Sequence, residues 1–130
     1  MNNRFFIIAG VSGAIAVALG AMGAHALKPL LSPEMLQAYE KAAQYQMYHT
    51  IALLGVAILY QTHPHVCLKW AGRLFIIGII LFSGSLYLLA TRSLIGLENM
   101  HWIGIITPFG GASFIAGWLS LTFSFVNKKI

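Results

Sequence analysis

The residues of this chain that could do chemistry are polar side chains set inside long apolar runs: His25, Tyr45, Gln46, His49, Ser83, Ser85, Tyr87 and Thr107. Tyr45, Gln46 and His49 are separated by three and four positions, which places them on one face of a helix. An imidazole can accept or donate a hydrogen bond, carry a proton or ligate a metal. The amide of Gln46, the phenols and the hydroxyls can bind neutral or charged groups. A polar group left alone in hydrocarbon costs several kcal/mol, so these side chains should turn inward and meet one another. Two outcomes are open: a hydrogen-bond network that holds helices together, or a small polar pocket for a ligand, proton or ion. His49 heads the ligand-binding set, because an imidazole deep in a span is costly without a partner. Gln46, His25, Tyr45, Ser83, Tyr87 and Thr107 complete it.

Other chemistries have less in their favour. His25 and His49 could ligate a metal together, and Met22, Met47 and Met100 lie near His25, His49 and His101, a donor set that suits copper. No spacing resembles a metal motif, however, and no acid falls within an apolar stretch, so no metal and no cofactor is expected. His63 and His65 flank Pro64 in a short loop and are read as solvated. The single cysteine, Cys67, excludes an intrachain disulfide and any site built from several thiolates of one chain. Ser83-Gly84-Ser85 near His49 could be imagined as a nucleophile, but no acid orients the histidine. With no intramembrane aspartate pair, zinc-protease helix or phosphate loop, a non-enzymatic protein is expected.

These residues need elements to position them, and the composition says what kind. Of 130 residues 58% are hydrophobic and 8% charged, against about 25% charged in an ordinary soluble domain. A chain this short cannot hide that much apolar surface in a water-soluble core. A span needs about 20 mostly apolar residues, and stretches at about 5–27, 43–61, 70–90 and 102–126 qualify. No strand-like alternation supports a barrel. The expected fold is an all-α membrane protein: a four-transmembrane-helix bundle forming a single domain over residues 1–130. The first stretch follows Asn2-Asn3-Arg4 like a signal peptide, but it is long and three more follow, so it reads as a retained span. Ser32, Pro33 and Glu34 form a helix start, so a short amphipathic helix over about 33–41 should precede the second span. Trp70 and Trp102, with Tyr60, suit interfacial anchors, whereas Trp118 falls too deep for that role.

The net charge of +5 is spread singly beside the apolar runs, which offers no stripe for nucleic acid. It reads instead as a topology signal. Arg4, Lys69, Arg73, Lys128 and Lys129 fall on one face, and Lys28, Lys41 and Arg92 on the other with all the acids. The more basic face is expected in the cytoplasm, with both termini. All the polar candidates then lie between mid-membrane and the outer surface. Small residues recur every four positions in the first span, at Ala16, Gly20 and Ala24 and at Gly10, Ala14 and Ala18. Such stripes let helices approach closely, within the chain, in a homo-oligomer or against another membrane protein. The lipid bilayer is the partner the composition requires.

The blocks Gly20-Ala21-Met22-Gly23-Ala24-His25-Ala26-Leu27-Lys28, Tyr45-Gln46-Met47-Tyr48-His49, Phe82-Ser83-Gly84-Ser85-Leu86-Tyr87 and Thr107-Pro108-Phe109-Gly110-Gly111, with Gly117-Trp118, resemble the signature of the YgdD/YwdK-like family. This is the group catalogued as domain of unknown function 423, related to transmembrane protein 256 of animals. The resemblance runs over essentially the whole chain. It implies a small four-helix protein of the bacterial inner membrane and supplies neither a substrate nor a catalytic residue. The functional expectation is an integral inner-membrane protein that binds a small molecule or ion in its polar cluster. The alternatives are a membrane scaffold that associates through its small-residue faces, and a metal- or haem-binding redox protein.

Overall fold

A computed structural model of the chain describes residues 2–126, and every regular element among them is helical. Helix α1 spans Asn2–Ala24, α2 Pro33–Thr62, α3 Val66–Gly78, α4 Gly84–Thr91 and α5 Thr107–Val126. Lys128 and Lys129, which weigh in the charge count, lie outside the described residues.

Local chemistry sets the helix ends. Ser32 caps α2 by accepting a hydrogen bond from Met35 N at 3.2 Å, with Pro33 in the first turn and Glu34 near the positive end of the helix dipole. The stretch before the second apolar run is not a helix of its own, because α2 continues unbroken for 30 residues. Nothing between Lys41 and Ala43 breaks it: no proline or glycine intervenes, and alanines are good helix formers. His65 caps α3, its Nδ1 accepting from Cys67 N at 3.0 Å. His63 donates from Nε2 to the Ser124 carbonyl at 2.8 Å and stacks on Phe125. The two histidines read as solvated are thus half-buried clamps at the α2–α3 turn.

Two features escape the sequence. Between α3 and α4 the chain winds one π-helical turn over Ile79–Ser83, so Val66–Thr91 is one helical rod with a widened middle. The last apolar stretch opens as a 3₁₀ turn, His101–Ile105, before α5 begins at Thr107. Pro108 sits at the second position of α5, where its missing N–H costs nothing.

Three helical segments are long and apolar enough to cross a membrane: Asn3–Ala24, Val66–Thr91 and His101–Val126. Helix α2 is not among them, since Gln44, Tyr45, Gln46, Tyr48 and His49 dilute the apolar character of its uncharged later part. It is nevertheless central, lying against α1, α3, the π turn and α4, while α5 packs on α3 and the π turn. The core gathers Phe5, Leu53, Val56, Leu68, Phe75 and Phe114 with small alanines. Aromatic rings sit in glycine notches: Phe5 over Gly72, Phe114 over Gly78, Phe75 over Gly117 and Tyr39 over Gly23. Ala16 is buried and Gly20 faces Ala43 of α2, whereas Ala24 of the same stripe stays exposed. Gly10, Ala14 and Ala18 stay exposed. At the α2–α3 end, Lys69 lies over the Tyr60 ring and Arg73 over Trp70.

Candidate functional site

The polar residues separate into three groups rather than one pocket. The first is centred on Gln46, which α2 buries against α1. Its Nε2 donates to the Ser12 carbonyl at 3.0 Å and lies 3.3 Å from Ser12 Oγ. Its Oε1 accepts from the Tyr87 hydroxyl at 2.7 Å. Ser12 Oγ and Thr50 Oγ1 share a hydrogen bond of 2.7 Å. The Tyr87 ring meets Tyr39 edge to face, and Tyr39 donates to the Leu19 carbonyl at 2.6 Å. This chain of bonds ties α1, α2 and α4 together where lipid leaves no hydrophobic drive to do so.

The second group surrounds His49, which points toward α5. Its Nδ1 lies 2.8 Å from the Tyr45 carbonyl and therefore carries the hydrogen. Nε2 is left as the acceptor and takes a bond from Trp118 Nε1 at 3.1 Å. The ring is neutral, stacked on Phe114 with centroids 3.5 Å apart, and flanked by Phe75 and Trp118. The side chain of Tyr45 belongs to the same aromatic box, stacked on Phe82. Both nitrogens of His49 are occupied, so it has no lone pair to offer a metal.

The third group pins helices at single points. Ser83, fully buried at the end of the π turn, donates to the Ala42 carbonyl of α2 at 2.8 Å. Ser85 and Thr107 share a bond of 2.6 Å between α4 and the start of α5. His25 joins none of these groups: it lies exposed just past the end of α1. Sequence reasoning overlooked Ser12, Thr50 and Trp118 as bonding partners. Thr50 follows Gln46 by four positions and shares its face, and Trp118 stood out as an indole too deep for an interface. Ser12 gave no signal among the small residues of α1. Among the described residues every buried side-chain nitrogen and oxygen has a hydrogen-bond partner, and no three His, Cys, Asp or Glu side chains gather where a metal ion could sit.

Empty space lies beside the first group. A groove of about 340 Å³ opens between Ile7, Ile8, Val11 and Ile15 of α1 and Ile76, Ile79 and Ile80 of the opposite rod, with Ser12 and Gln46 the polar residues of its lining. Toward the other end of α1 a second hollow of about 320 Å³ is lined by Leu19 and Met22 on one side and Tyr87, Leu88 and Thr91 on the other, with Tyr39. The bond between Tyr87 and Gln46 links the two.

Fold and site together define a small helical membrane protein, its helices cross-linked by a closed set of internal hydrogen bonds, with an apolar crevice on one flank. The chain belongs to the family described as "Protein of unknown function (DUF423)", which matches residues 19–111. It is 44% identical over 117 residues to a UPF0382 membrane protein of Staphylococcus saprophyticus, covering 90% of this chain and 92% of the relative. Against a UPF0382 membrane protein of Staphylococcus haemolyticus it is 42% identical, covering 95% and 98%. The UPF0382 inner membrane protein YgdD of Escherichia coli is 37% identical over 130 residues, covering 99% of this chain and 95% of its own length. No solved structure matches.

Proposed function

We propose that this is a four-span, non-enzymatic membrane protein that binds a lipid-like small molecule in the crevice between α1 and the α3–α4 rod. The groove lined by aliphatic side chains down to Ser12 and Gln46 carries this reading. An ion is a poorer occupant, because the polar atoms that would have to hold it already bond to one another. An apolar chain needs only the aliphatic walls, and ligand sites are mostly apolar with few polar groups. Replacing Ile15 with Trp fills the groove from α1. In nanodiscs, a photoreactive long-chain probe should label Ile76 and Ile80 in the parent protein and lose about tenfold of that labelling in Ile15→Trp, with helical content unchanged. Equal labelling of both proteins sinks the reading.

The fourth span in this proposal is the later part of α2, residues 43–62, which carries no charge and lies between the other helices. Both termini then share a face with the α2–α3 turn, where Lys69 and Arg73 sit, and the positive-inside rule assigns that face to the cytoplasm. A C-terminal green fluorescent protein fusion is expected to glow and a C-terminal alkaline phosphatase fusion to stay inactive; the reverse pattern overturns the orientation.

A further inference from the structure

The second hollow of the crevice limits what the polar end of a ligand can be. A hydroxyl has one hydrogen to donate and two lone pairs to accept with. In the hydroxyls that line this hollow, each hydrogen is already committed: Tyr39 to the Leu19 carbonyl, Tyr87 to Gln46 Oε1, and Thr91 to the Tyr87 carbonyl at 2.8 Å. At the adjoining groove the Gln46 amide points at Ser12. What these few oxygens retain is lone pairs alone. No charged side chain lines either hollow, so nothing there balances an ammonium or a carboxylate, and a bare charge would bear its full desolvation cost.

We propose that the crevice selects a neutral long-chain alcohol or phenol: an aliphatic body along the α1 wall and a hydroxyl that donates its one hydrogen to the Tyr39 or the Thr91 oxygen. A ketone, ether or ester of the same shape brings a second acceptor to oxygens that can only accept, and leaves both unpaired. This inference rests on the reading that the crevice binds a lipid-like molecule, and the test separates the two.

The measurement is competition against the photoreactive probe in nanodiscs, using hexadecanol and its methyl ether. The alcohol should displace the probe about fivefold more effectively, the weight of roughly one neutral hydrogen bond. A Tyr39→Phe/Thr91→Val variant, which keeps the Gln46–Tyr87 bond, should shrink that preference toward unity. Thr91→Val alone serves the same purpose if the pair fails to fold, and should reduce the preference in part. Displacement by neither compound overturns the crevice reading itself. Equal displacement by both, or a preference unchanged in the variants, overturns the choice of an alcohol while the crevice stands.

Discussion

Gly110→Ala is expected to destabilise the protein by about 3 kcal/mol, the upper end of ordinary overpacking costs. A methyl at position 110 of α5 would collide with the backbone nitrogen of Phe82 and stand 2.7 Å from its Cα. That backbone belongs to the π turn, held from the other side by the Ser83 bond to Ala42. It cannot retreat without pressing on α2. The helix propensity gained by replacing glycine, at most about 1 kcal/mol, does not offset this. Gly84 provides the contrast within the same rod, since a methyl there meets nothing within 4 Å. Thermal unfolding in mild detergent should therefore show a large loss for Gly110→Ala and none for Gly84→Ala. Equal midpoints for the two variants would mean that α5 is not seated against the π turn as described.

Gln46→Leu should cost about 2 kcal/mol, and the reason is asymmetry rather than bond count. Interhelical hydrogen bonds in membranes average only about 0.6 kcal/mol in double-mutant cycles. The substitution does more than delete three of them. It leaves the half-buried Tyr87 hydroxyl facing leucine, and an orphaned donor costs roughly 1–3 kcal/mol. The Ser12 carbonyl suffers less, because it lies within α1 and helix carbonyls already accept one bond. The double variant Gln46→Leu/Tyr87→Phe removes the orphan as well. It is expected to be more stable than Gln46→Leu alone, by about 1 kcal/mol, although it carries one more substitution. Simple additivity of the two losses would show that Tyr87 and Gln46 are not coupled.

The same asymmetry bears on what the polar residues are for. Gln46, Ser83, Ser85 and Thr107 each bond to a residue or backbone group on another helix. The network is a framework, and the empty space lies beside it rather than within it. His49 fits this division. A histidine buried among Phe75, Phe114 and Trp118 would be an expensive orphan, yet Trp118 and the Tyr45 carbonyl satisfy both of its nitrogens.

The sequence by itself determined the solvent, the helical class, and the family. Apolar runs of about 20 residues admit few other structures, because every backbone group in lipid must bond within its own segment. It also placed the cap at Ser32 and put Gln46, His49, Ser83, Tyr87 and Thr107 among the residues that must find partners, since an unpaired polar group in hydrocarbon is costly wherever it occurs. Which partners they find was decided only by the tertiary structure. Gln46 and His49 are three residues apart, about 60° around the helix, and that small angle sends one toward α1 and α4 and the other toward α5. Helical spacing says that two residues share a side; it does not say which neighbour that side meets. The bound partner Ser12, the π turn over Ile79–Ser83 and the crevice beside Ile15 arise from the way rigid rods pack. They depend on the fit of side chains across a contact, such as Phe82 on Gly110. No local pattern of residue types records that fit, because it belongs to two segments at once.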